Sequence, residues 1–221
     1  MSSGRQRILD QVARGLRGLG QGRDPAISRE YGREGGLDQT AVLDLFRKRV
    51  EDYNASVLRC PPADLAATVA QTLQARGLGR LAVPATLPGG WLARIPEGSL
   101  EVLRDGDPHL LSKGRLASVQ GTLTGCALAV AETGTLILDG GEAQGRRALT
   151  LLPDYHLCVV FAGQVVERVP EAVDRLSAVV RKTGAPLTFV SGPSATSDIE
   201  LKRVEGVHGP RTLHLVLVEE S

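Results

Sequence analysis

Three short segments carry the residue types from which a site could be built. Glu132-Thr133-Gly134-Thr135 places a carboxylate, two hydroxyls and a glycine between two apolar runs, Ala127–Ala131 and Leu136–Leu138. A carboxylate between buried strands is costly unless it is paired or hydrogen-bonded. Two readings stay open: Thr133 and Gly134 close a hairpin with Glu132 facing water, or Glu132 is held for chemistry as a base, acceptor or nucleophile. Gln144-Gly145-Arg146-Arg147 offers two adjacent guanidinium groups, which suit a bidentate grip on a carboxylate or phosphate. Ser191-Gly192-Pro193-Ser194-Ala195-Thr196-Ser197-Asp198 follows an apolar run ending at Val190. It reads as a tight loop leading into a helix over Ser194–Leu201, whose free N–H groups would bind an anion. His208 sits between glycines at 206 and 209, where backbone can approach a ligand and the ring can donate a proton. Each has a plainer reading: Ser194 as a helix cap, Asp198 as an arginine partner, and 206–209 as a turn that only sets chain direction.

The elements that must position these residues alternate. Helical spacing covers 2–18, with Ile8, Val12 and Leu16 on one face, and 18–36 is rich in Gly, Arg and polar residues and reads as a linker. Asp38 is placed to cap a helix over 39–53. A strand at Val57–Cys60 leads through two prolines to a helix over Ala63–Arg76, and strands follow at Arg80–Val83 and Leu100–Leu103. His156–Phe161 is a continuous apolar strand, Pro170 starts a helix to about Lys182, Leu187–Val190 is a strand, and Thr212–Val218 closes the sheet. Continuous rather than alternating apolar strands, interleaved with helices, predict an α/β fold with a largely parallel sheet flanked by helices. Ligands in such sheets collect at the carboxyl ends of the strands. The expected organisation is an N-terminal helix and linker over 1–36 and one α/β domain over 37–221.

Composition narrows the function classes. The net charge of +1 and the scarcity of aromatics (one Trp, three Tyr, three Phe) give no basic or stacking surface for nucleic acid. No run reaches the roughly 20 apolar residues of a membrane span, and the N-terminus lacks a signal peptide's apolar centre, so a cytoplasmic location is expected. Cys60, Cys126 and Cys158 are far apart and form no CxxC, so an iron–sulfur cluster or structural zinc is not expected, nor any other cofactor. The glycine-rich stretches at 18–22 and 32–36 follow no strand and make no dinucleotide turn.

Taken in order, Ala131–Thr135, Gln144–Arg147, Leu151-Leu152-Pro153, Phe189–Glu200 and Gly206–Arg211 closely resemble the LUD-domain family, and within it the lactate utilisation protein C branch. The resemblance spans roughly Leu116–Val218. One departure is that relatives often carry an acid just before the strand leading to the Glu-Thr-Gly unit, where this chain has Cys126-Ala127. The resemblance implies a Rossmann-like sheet similar to the sugar-isomerase and CoA-transferase fold group, with an N-terminal helical extension. It implies an accessory subunit, without clusters of its own, in a system that oxidises L-lactate to pyruvate beside iron–sulfur partners. The expected pocket holds a small carboxylate or phosphate ligand: Glu132 and His208 in catalytic roles, with Thr133, Gly134, Arg146, Arg147, Ser191, Gly192, Ser194, Thr196 and Asp198 binding. The alternative is a free-standing isomerase or transferase acting on a sugar phosphate or acyl-CoA.

Overall fold

The computed structural model describes residues 4–17, 32, 35–106, 108–197, 203–205 and 209–220. The chain divides into two compact units, Met1–Gly32 and Arg33–Ser221. In the first, α1 (Gly4–Leu16) is amphipathic, with Ile8, Leu9, Val12 and Leu16 all exposed.

The second unit contains α2 (Gln39–Asp52), β1 (Ser56–Cys60), α3 (Leu65–Ala75), β2 (Arg80–Pro84), β3 (Glu101–Asp105), α4 (Lys113–Ala117) and β4 (Gly121–Thr124). There follow β5 (Leu128–Val130), β6 (Thr135–Leu138), β7 (Tyr155–Phe161), β8 (Val165–Val166), α5 (Val169–Thr183), β9 (Thr188–Val190), β10 (Ala195–Ser197), β11 (Arg203–Glu205) and β12 (Thr212–Val218). Six strands form one sheet in the order β1-β12-β7-β4-β2-β3, every pair parallel. As the continuous apolar strands require, this sheet is covered on both faces. β12 does not close the sheet; it lies inside it, between β1 and β7. A second sheet, β8-β5-β6-β9, is mixed: β5 and β6 form an antiparallel hairpin.

Alternation along β7 shows how the layers are assigned. Tyr155, Leu157 and Val159 pack with Leu65, Val69 and Leu73 of α3. Cys158 and Val160 point the other way, into a core shared with Leu213, Leu215 and Leu217 of β12, Ala129 and Leu136 of the second sheet, and Val42, Phe46 and Val50 of α2. The outer face of the second sheet (Leu128, Val130, Ile137) is covered by Ala172 and Leu176 of α5. α2 begins where expected, with the Asp38 carboxylate accepting from the Ala41 N–H at 2.8 Å.

The helix expected over Ser194–Leu201 differs in its described part, its remaining residues lying outside the described ones. Residues 195–197 are not helical; they form β10, antiparallel to β11, and the Ser194 N–H donates to the Pro210 carbonyl at 2.8 Å. Ser-Ala-Thr-Ser is a weak helix former, because short hydroxyl side chains compete for backbone groups and Thr is branched at Cβ. Among the described residues, no helix begins at Ser194.

Candidate functional site

Polar groups gather where the second sheet leans over the amino ends of β7 and β12. There a cavity of about 170 Å³ is lined by Arg147, Thr150, His156, Ser191, Gly192 and Ser194, among others. Of the strands that border it, β9 points its carboxyl end here, and β7 and β12 their amino ends. His156, 1% exposed, enters from the second residue of β7, and its Nε2 lies 2.8 Å from the Thr124 hydroxyl on β4. The opposite wall is the Ser191–Ser194 turn. Ser191 Oγ is 2.7 Å from Thr135 Oγ1, which is 2.7 Å from Thr133 Oγ1, so a row of three hydroxyls ties the β5–β6 turn to the cavity wall.

Two glycines set that geometry. Gly134 has φ +59° and a Cβ there would lie 2.7 Å from backbone of Arg49, so the β5–β6 turn can seat against α2 only without a side chain. Gly192, at φ +84°, approaches Tyr53 as closely: a Cβ would fall 2.6 Å from the Tyr53 Cβ. The Thr-Gly signal is therefore explained by backbone. Glu132 sits in the turn of the β5–β6 hairpin: its side chain is exposed, its N–H donates to the Glu167 carbonyl at 3.0 Å, and it lines none of the cavities described here.

The adjacent arginines have different environments. Arg146 is clamped: Nε lies 2.7 Å from Asp105 Oδ2 and Nη2 2.8 Å from Oδ1, and Nη2 also donates to the Leu111 carbonyl. Asp105 is 3% exposed and also accepts from the Leu111 N–H at 2.7 Å. Burial opposes the charge on Asp105, but the hydrogen bonds from Arg146 and Leu111 outweigh it and hold the carboxyl below its ordinary value. Arg147 has no such partner. Its Nη1 donates to the carbonyl and hydroxyl of Thr150, at 2.8 and 2.6 Å, and no carboxylate among the described residues lies within ion-pair distance. Burial alone acts on this guanidinium, lowering its pKa.

Arg147 and Thr150 also partition the small cavity from a larger one. That cavity, about 700 Å³, lies at the carboxyl ends of β2 and β3 beneath the 139–145 loop. The loop is internally satisfied, since Gln144 donates to Asp139 Oδ1 and accepts from the Asp139 N–H, each at 2.8 Å.

Of the residues singled out from sequence, Arg147, Ser191, Gly192 and Ser194 meet at one cavity, and Thr133 and Gly134 support its wall. Arg146 is directed to Asp105, and Thr196 contributes backbone to β10. His208 and Asp198 lie outside the described residues. Sequence reasoning missed His156, Thr150 and Asp105. The one signal for His156 was its polarity inside an otherwise apolar strand. Among the described residues no group of three or more His, Cys, Asp or Glu is placed to hold a metal, and no helix is long and apolar enough to cross a membrane.

Fold and site together define a layered α/β protein with a small cationic cavity between its six-stranded and four-stranded sheets. A family model for the LUD domain matches residues 43–218, so the chain belongs to the LUD-domain family. It is 48% identical over 183 residues to a protein named Lactate utilization protein C from Deinococcus radiodurans, covering 82% of each chain. A protein of the same name from Geobacillus kaustophilus is 27% identical over 202 residues, covering 84% of this chain and 81% of that one. Among solved structures, the crystal structure of a DUF162 family protein from Deinococcus radiodurans matches with a TM-score of 0.70 and 39% identity, covering 83% of this chain and all of that one.

Proposed function

We propose that this chain is a cluster-free subunit of a lactate utilisation system, supporting the oxidation of L-lactate to pyruvate by binding a small carboxylate. The name shared by the relatives supports the process. The observation that carries the ligand is Arg147: a guanidinium at a cavity wall, hydrogen-bonded only to neutral oxygens and without a carboxylate among the described residues. A crowded cation of this kind gains most from an anion, and a guanidinium offers a carboxylate two parallel N–H donors. The roughly 170 Å³ cavity suits a ligand of a few heavy atoms. Ser191 and Ser194 supply hydroxyls beside it, and His156 supplies a ring nitrogen able to bond a ligand hydroxyl or keto oxygen. Thr150 and the Thr133–Thr135–Ser191 hydroxyl row fix the frame.

In this reading the electrons move through partner proteins that carry iron–sulfur clusters. The three cysteines of this chain are all buried and free, which agrees with a reducing, cytoplasmic setting. The transferase alternative depends on Glu132 as nucleophile, and the exposed turn that Glu132 occupies gives it no support. The subunit reading is tested by recovering the tagged chain from lactate-grown and glucose-grown cells and measuring iron and co-purifying proteins. Iron–sulfur partners recovered only from lactate-grown cells are the expected result; the bare chain from both cultures would contradict it. Growth on lactate supported equally by wild type and Arg147→Ala would remove the cavity from the function.

A further inference from the structure

A ligand of a few heavy atoms uses only one of the two cavities that Arg147 adjoins. Arg147 and Thr150 line both the cavity of about 170 Å³ and the one of about 700 Å³. The β9 segment runs past both as well, with Pro186 and Thr188 on the larger and Phe189, Val190 and Ser191 on the smaller. Sites that enclose small organic ligands measure roughly 300–1,000 Å³, a range that includes the larger cavity and not the smaller. An anion held by Arg147 therefore sits on the border of two spaces, and most of the room is on the far side from His156.

The two spaces differ in chemistry. The smaller presents the His156 ring and the hydroxyls of Ser191 and Ser194. Around the larger, polar side chains are already engaged within the protein. Asp105 accepts from Arg146 at 2.7 and 2.8 Å, and Asp139 accepts from Gln144 at 2.8 Å and from the Gly141 N–H at 2.9 Å. The Thr86 hydroxyl accepts from the Ala143 N–H at 3.1 Å. What this lining still offers a ligand is carbon, from Pro84, Ala85, Leu110, Leu138 and Pro186. Leu110 carries the argument furthest, because it lines the cavity and is 62% exposed. The backbone beside it is pinned: the Leu111 N–H donates to Asp105 at 2.7 Å, and the Leu111 carbonyl accepts from Arg146. The clamp that engages Arg146 thus holds an exposed leucine at the rim, where an apolar group entering the cavity would cover it.

We propose that the ligand is a 2-hydroxy acid whose apolar side chain is larger than the methyl group of lactate. Its carboxylate lies on Arg147, its hydroxyl faces His156 and Ser191, and its side chain enters the larger cavity against Leu110 and Leu138. This assignment rests on Arg147 as a carboxylate site and narrows the class of acid that the site takes. Lactate binds through the same carboxylate but fills little of the apolar space. Each further methylene removed from water strengthens binding about fourfold, so the larger acid is the better ligand.

The test is calorimetric titration of the full chain with L-lactate and with L-2-hydroxyisocaproate, which bears an isobutyl group in place of the methyl. Wild type, Leu110→Asp and Arg147→Ala are compared, with urea curves to establish that each is folded. The expected result is binding of the larger acid at least about tenfold tighter than lactate by wild type. That advantage should fall below about threefold in Leu110→Asp, since a carboxylate at the rim opposes both the apolar group and the anion. Lactate bound as tightly as the larger acid would overturn the inference and leave the Arg147 carboxylate site standing. An advantage unchanged in Leu110→Asp would put the side chain elsewhere and overturn it too. Binding of both acids by Arg147→Ala as by wild type would instead remove the carboxylate site on which the inference rests.

Discussion

Arg146 and Arg147 are neighbours with identical side chains, but they belong to two regions with opposite requirements. Around Arg146 the protein supplied the anion itself: Asp105 is buried and paired, and the guanidinium closes a structural unit with the Leu111 backbone. Around Arg147, among the described residues, it supplied only neutral oxygens from Thr150. The contrast separates a charge used to hold the fold from one left available at a cavity. A buried carboxylate left alone is costly, whereas removing a cation that nothing acidic contacts costs the fold little.

The most forceful way to break this contrast is to remove each arginine separately. Arg146→Ala leaves Asp105 buried without its counter-charge and should destabilise the protein by about 3 kcal/mol, the low end for such pairs because Arg146 is itself partly open to water. Arg147→Ala should lie within about 1 kcal/mol of wild type. Urea denaturation of both variants decides it, and equal losses would dissolve the distinction. Next in size is Thr135→Val, which leaves Thr133 and Ser191 without their shared partner. A loss of about 1–2 kcal/mol is expected, together with weaker ligand binding as the Ser191 wall relaxes.

The pH dependence sharpens the Arg146 side. Because the folded pKa of Asp105 is depressed, the stability it contributes is fully present above the ordinary carboxylate value of about 3.9. That stability is lost as pH falls through the folded pKa. The acid limb of the wild-type stability curve should therefore be steeper than that of Asp105→Asn, and parallel limbs would show that the pair does not act this way. The smallest effect belongs to Glu132→Gln. An exposed turn residue should change stability by no more than about 0.5 kcal/mol and leave carboxylate affinity unaltered. A large loss of affinity would return Glu132 to the site.

Much of the layered fold was legible because strands buried on both faces read as unbroken apolar runs and because Asp38 marks a helix start. Residues 195–197 were misread because apolar periodicity is absent there and hydroxyl-rich sequence suits both a capped helix and a turn. The cavity's position was missed for a different reason. Its walls come from the carboxyl end of β9 and the amino ends of β7 and β12, and no local pattern shows that one sheet leans over the other. The Glu-Thr-Gly unit was conspicuous, but the constraint lay in Gly134 rather than the acid. Nor can sequence separate Arg146 from Arg147: Asp105, which claims one of them, lies 41 residues away.

The central claim is that Arg147 holds a small carboxylate. Calorimetric titration of L-lactate and pyruvate into the purified wild type and Arg147→Ala tests it most directly, with urea curves confirming that both are equally folded. Saturable binding to wild type, weakened at least tenfold in the variant, or about 1.4 kcal/mol, is the predicted result. Equal affinities, or no binding of either acid to the wild type, would contradict it.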